Sequence, residues 1–154
     1  MKREGKKLTV PYYAQEKSYS CGPASLRMIF GYYDLQIDEQ EIRGFAGTDR
    51  NGTTRKELVQ VAKEYYFRVK TRSHGTLEDI IDILDKEIPV LVDWHIGEGH
   101  FSVLYGYEQY GDKQGLLYIH DPANSHRHIL SQKSFLGVWS YDKPPNWYMI
   151  CIPK

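Results

Sequence analysis

Residues 8–33, LTVPYYAQEKSYSCGPASLRMIFGYY, decide how the rest of the chain is read. Leu8 to Tyr13 is short, rich in β-formers and interrupted by Pro11, which predicts an edge strand or an extended lead-in to Gln15. The polar stretch EKSYS then delivers Cys21. From Cys21 to about Tyr33 the pattern is helical, with Pro23 where a first turn tolerates it and apolar residues following around most of the circumference. Such a helix is expected to be buried. Cys21 stands at its start, where unpaired backbone N–H groups and the helix dipole favour an anion, and the thiolate is the nucleophilic form of cysteine.

Downstream, Asp38 is placed to cap a short helix over EQEIRGFA. Thr54 with Glu57 makes a capping-box pattern before RKELVQVAKEYY, and Thr76 with Asp79 opens a third helical segment, LEDIIDILDKE. The second half changes character. PVLVDWHI, HFSVLYGYE, GLLYIHD and WYMICIP are β-branched and aromatic, and Gly, Asp, Asn and Pro clusters separate them. Helices followed by an antiparallel sheet is an α+β arrangement. No repeat or Pro/Ser-rich linker divides the chain, so one domain is expected over residues 1–154.

HFSVLYGYE and GLLYIHD read as a hairpin turning at Gly111-Asp112, which sets residue 100 opposite residues 121 to 123. A slip of one residue would turn a side chain to the other face. In this register His100 and Asp121 are neighbours, a base and a carboxylate that orients it, which are the types a thiol nucleophile needs. Gln15, six residues before Cys21, lies where a side-chain amide can join the Cys21 N–H in binding an oxyanion.

Composition excludes other classes. Twenty Lys+Arg against twenty Asp+Glu give a net charge of +0, so no overall field draws the chain to nucleic acid or anionic lipid. At 154 residues the chain is long enough for one core that hides roughly 70% of the unfolded surface. MKREGKK is basic but is followed by LTVPYYAQ instead of an apolar run, and no stretch is long enough to span a bilayer. Two cysteines are no disulfide scaffold. Free thiols in a reducing, cytoplasmic setting are expected, or a secreted protein if a leader was removed before this numbering.

His95, His120, His126 and His128 lack the spacing of a zinc site, and neither metal nor cofactor is expected. His95 lies inside an apolar strand and is read as a packing residue rather than a rival base. Cys151, in an apolar strand, is read as an inert buried thiol. Asn51-Gly52-Thr53 is read as a turn instead of a glycosylation site. Trp94, Trp139 and Trp147 are left as packing residues.

Three blocks, VPYYAQEKSYSCGPASLRMI, EGHFSVLYGY and IHDPA, together resemble the bacteriocin-processing cysteine peptidases that form the N-terminal domain of peptide-exporting ABC transporters, and their free-standing relatives. The resemblance runs from about Leu8 to Ile152. It implies a papain-like fold and an active site at Gln15, Cys21, His100 and Asp121, with a peptide or protein as substrate. Ser20 departs from the pattern, standing where the transporter domains often have an acidic residue, and the chain carries no GxxxxGK[ST] loop. The same four residues would serve an acyltransferase that passes the acyl group to an amine, and a non-cleaving peptide-binding module is a further alternative.

Overall fold

The computed structural model describes residues 3–96, 98–123, 127–140 and 144–154. Its elements, in chain order, are β1 (Arg3–Lys7), α1 (Cys21–Tyr32), α2 (Glu39–Ala46), α3 (Arg55–Glu64), β2 (Phe67–Arg72), α4 (Leu77–Asp85), β3 (Val90–Ile96), β4 (Glu98–Tyr110), β5 (Lys113–His120), β6 (Arg127–Ser131), α5 (Gln132–Trp139) and β7 (Tyr148–Pro153). The α+β prediction stands. One antiparallel sheet runs β2-β7-β3-β4-β5-β6, and β1 adds to β4. The long β4 pairs with β3 over its first half and with β1 over its second.

Helix starts follow their side-chain chemistry. Thr54 and Thr76 each accept a hydrogen bond from the backbone N–H three residues on, and the Glu57 and Asp79 carboxylates accept the cap residue's own N–H, so both capping boxes form. Asp38 does precede α2, but its side chain makes no capping bond. In α1, Ala24, Leu26, Met28, Ile29 and Phe30 are all buried, as the apolar circumference predicts. Each large one contributes about 1.5–3 kcal/mol of burial. Gly22 packs tightly: a Cβ there would lie 3.2 Å from Leu58 Cδ2 and 3.3 Å from Phe101 Cδ2, so both side chains would have to yield by a few tenths of an ångström. Its absence lets the head of α1 approach α3 and β4 closely.

Phe101 faces α1, whereas Trp94, on the opposite side of the β3–β4 ladder by alternation, packs beside Phe135 of α5 at 6.2 Å. The helices thus cover both faces. Trp94, Trp139 and Trp147 are buried, with the Trp94 and Trp139 indole N–H groups bonded to Ser102 Oγ and Trp147 O. Among the described residues, no helix is long and apolar enough to cross a membrane.

Several segments differ from the sequence reading. Leu8–Tyr13 is no strand: Leu8 N donates to Tyr105 O, and beyond it the chain leaves the ladder. The strand is instead the basic Arg3–Lys7, held along β4. The helical first half also contains β2, whose FRVKTR shows one buried residue in six and so carries little apolar signal. β6 and α5 lie in a stretch given no assignment from sequence.

Candidate active site

Cys21 is the first residue of α1. Ala24 N bonds to Ser20 O and Ser20 N to Lys17 O, while Pro23 has no N–H. The N–H groups of Cys21 and Gly22 are therefore the donors this helix head leaves without intrahelical partners. His100 comes from the first half of β4, opposite Trp94 of β3, and Asp121 directly follows β5. The β4–β5 hairpin turns at Gly111-Asp112, with Tyr110 opposite Lys113. Two register shifts of opposite sense interrupt it, so Val103 opposite His120 keeps the offset set at the turn. The predicted juxtaposition of His100 and Asp121 survives for that reason.

His100 Nε2 lies 2.5 Å from Asp121 Oδ1, and the same oxygen accepts the Ala123 N–H at 2.9 Å. With Nε2 held by the carboxylate, Nδ1 is the nitrogen available to Cys21, which lines the same cleft. Burial alone would lower the His100 pKa. The hydrogen bonds to Asp121 and Cys21, with the charges of both, outweigh it and push the pKa up from 6.5 to about 9. The imidazolium is the form this pocket favours at neutral pH.

Asp121 is 2% exposed and held from the N-terminal segment: Tyr12 Oη donates to Asp121 O at 2.7 Å, and Gln15 N donates to Pro122 O at 2.9 Å. Gln15 therefore joins the group through its backbone. Its side-chain Nε2 donates one N–H to Lys17 O at 2.7 Å, which leaves the second for another acceptor. Ser20, the departure noted above, is fully buried and its Oγ lies 3.1 Å from Glu39 Oε1.

A cleft of about 290 Å³ opens over Cys21 and His100, walled by Tyr19, Arg50, Asn51, Gly52 and Gly99. Gly52, at φ +94°, turns the 49–52 loop, as the Asn-Gly pair predicts. That this turn borders Cys21 is a tertiary fact with no local signal. A second cleft of about 560 Å³ shares Asn51 and Gly99 with the first and continues toward Arg55 and Asp93. Grooves of about 510 and 400 Å³ beside β1 and the segment after it contain neither Cys21 nor His100.

Cys151 is buried and unbridged, and burial pushes its thiol up to about 12. His120 is buried, with Nε2 on Val10 O and its ring stacked on Tyr105. The His95 and His128 side chains and all of His126 lie outside the described residues. Among the described residues, no group of three or more His, Cys, Asp or Glu side chains could hold a metal ion.

The Peptidase_C39 like family matches residues 7–145. The transport/processing ATP-binding protein ComA of Streptococcus pneumoniae is 34% identical over 111 residues, covering 72% of this chain and 15% of that protein. Mesentericin-Y105 transport/processing ATP-binding protein MesD of Leuconostoc mesenteroides is 31% identical over 121 residues, covering 75% of this chain and 15% of that protein. The chain thus spans a small part of the length of these relatives.

Solved structures share the fold. The peptidase domain of Streptococcus ComA, a bi-functional ABC transporter involved in a quorum sensing pathway, aligns with TM-score 0.76 at 24% identity, covering 97% of this chain and 99% of that one. A double glycine motif protease from an AMS/PCAT transporter, in complex with its leader peptide, aligns with TM-score 0.74 at 22% identity, covering 97% and 95%. A C39-like peptidase from Bacillus anthracis aligns with TM-score 0.75 at 16% identity, covering 98% of each chain. The chain belongs to the Peptidase_C39 like family and is a cysteine peptidase of papain-like α+β fold.

Proposed function

We propose that the chain hydrolyses a peptide or amide bond with Cys21 as nucleophile, His100 as general base and acid, Asp121 as the group that orients His100, and Gln15 as an oxyanion donor. The observation that carries this reading is the His100 ring, bonded to Asp121 at Nε2 and sharing one cleft with Cys21 at the head of a helix. Cys21 Sγ attacks the carbonyl carbon, a C–S bond forms, and the carbonyl electron pair moves onto oxygen. The Cys21 N–H and the second N–H of Gln15 Nε2 stabilise that oxyanion. Collapse breaks the C–N bond, and His100 gives the leaving amine its proton. Water, deprotonated by His100, then attacks the thioester, which releases the acid and restores Cys21.

Leader-peptide processing is the biological role we infer, because the relatives are transport/processing proteins and one solved neighbour holds a leader peptide. The test measures Cys21 alkylation by iodoacetamide against pH, with mass spectrometry, in the wild type and in His100→Ala. The expected result is fast alkylation at neutral pH that is lost in His100→Ala. Equal, slow alkylation in both proteins would overturn the proposal. Product analysis of a cleaved peptide with added amine separates hydrolysis, which yields the free acid, from acyl transfer.

A further inference from the structure

We propose that Glu39, acting with Arg43 and through Ser20, is a positioning residue that sets the oxyanion-binding loop of the site described above, so this inference rests on that assignment. Glu39 is the first residue of α2 and is fully buried. Its Oε1 accepts the Glu16 N–H at 2.9 Å and lies 3.1 Å from Ser20 Oγ, and its Oε2 accepts Arg43 Nε at 2.8 Å. Arg43 also donates to Glu16 Oε1 at 2.8 Å. Ser20 Oγ in turn accepts the Lys17 N–H at 2.9 Å, and its one O–H lies between two acceptors, Lys17 O at 3.0 Å and Glu39 Oε1 at 3.1 Å.

Removing a carboxylate from water is costly, and a helix can bury apolar groups at such a place without that cost, as α2 does with Ile42 and Ala46. Apart from Arg43, the partners of this carboxylate lie outside α2, in the loop between Gln15 and Cys21. Glu16 follows Gln15 and Ser20 precedes Cys21, so one side chain clamps both ends of the loop that carries the two oxyanion donors. Ser20 also supplies the carbonyl half of the peptide whose N–H is that of Cys21, and this carbonyl is held by Ala24 N at 3.1 Å. The clamp therefore fixes where an oxyanion is received and leaves the thiol and its base untouched.

That division of labour is testable because iodoacetamide and an aldehyde ask different things of Cys21. Alkylation is displacement at a saturated carbon and develops no oxyanion. A peptide aldehyde adds reversibly: a C–S bond forms, and the carbonyl oxygen takes the negative charge that the donors must meet. The experiment measures Tm, the alkylation rate and the affinity of acetyl-Leu-Gly-Gly-aldehyde, read as protection of Cys21 from alkylation. The proteins are the wild type, Glu39→Leu, Glu39→Gln and Ser20→Ala.

In Ser20→Ala and Glu39→Leu the alkylation rate stays within about twofold of wild type, whereas aldehyde affinity falls by about 10- to 100-fold, the scale expected when reacting groups are misplaced by about 1 Å. Glu39→Gln, which keeps an acceptor for Glu16 N and Ser20, loses less than Glu39→Leu. Should Glu39→Leu fail to fold, Ser20→Ala decides alone. Equal losses in both reactivities, or unchanged aldehyde affinity, overturn the proposal. A wild type that alkylates in a His100-dependent manner but is not protected by the aldehyde also overturns it, and leaves the Cys21–His100 assignment standing. Alkylation indifferent to His100 overturns that assignment and this inference with it.

Discussion

Replacing Asp121 by asparagine preserves the volume beside His100 and removes one negative charge. In the wild type, burial pulls the His100 pKa down while the bonds and charges of Asp121 and Cys21 push it up to about 9. Moving a histidine from 6.5 to about 9 favours the imidazolium by about 3 kcal/mol. Without the carboxylate, burial is opposed by Cys21 alone, and the pKa falls. Because the folded value in the wild type lies above the unfolded one, the associated stability is fully present below pH 6.5 and is lost as pH rises through about 9. Between pH 6.5 and 9.5 the wild type should therefore lose up to about 3 kcal/mol more than Asp121→Asn, a differential fall in Tm of up to about 10 °C. Scanning fluorimetry of both proteins across this range measures the difference. Imidazole NMR titration, with His100→Ala to identify the resonance, measures the pKa itself. Parallel Tm profiles, or a His100 that still titrates near 9 in Asp121→Asn, would refute the reasoning.

Other positions offer independent checks. Native protein treated with iodoacetamide near neutral pH should take one label, at Cys21, and guanidinium-unfolded protein two, because burial pushes Cys151 up to about 12; two labels on the native protein would contradict that burial. Gly22→Ala forces a methyl group against Leu58 and Phe101 and should cost about 1–3 kcal/mol of stability by chemical denaturation. An unchanged midpoint would show that the head of α1 has room to give. Thr76→Ala removes one capping box and should cost about 1 kcal/mol with the Cys21 alkylation rate unaltered.

What the sequence disclosed was the chemistry that acts locally. Pro23 and the apolar circumference marked α1, paired Thr and acidic residues marked α3 and α4, and the Gly111-Asp112 turn brought His100 to Asp121. Errors arose where a segment's role depends on what it lies against. Arg3–Lys7 has the composition of a tail, yet β4 extends past β3 and offers it an edge to pair with. Leu8–Tyr13 has strand composition, yet Pro11 sits against α1, where a Cβ at Gly31 would meet its ring at 2.8 Å. The residue type at Gln15 points to a side-chain role, and the bond its backbone N–H makes to Pro122 O is an addition that no local pattern announces. Glu39 was indistinguishable from any acid in a polar helical stretch, since nothing in EQEIRGFA reveals which carboxylate the loop before Cys21 will enclose.

The bonds from Tyr12 and Gln15 to the Asp121–Pro122 segment tie together parts of the chain far apart in sequence, the first across 109 residues. Contacts of that span must meet a chain-closure entropy before they contribute. A nascent chain thus carries Cys21 before His100 and Asp121 have been made. The proposed site is in that sense a report on whether the two ends of the chain have come together.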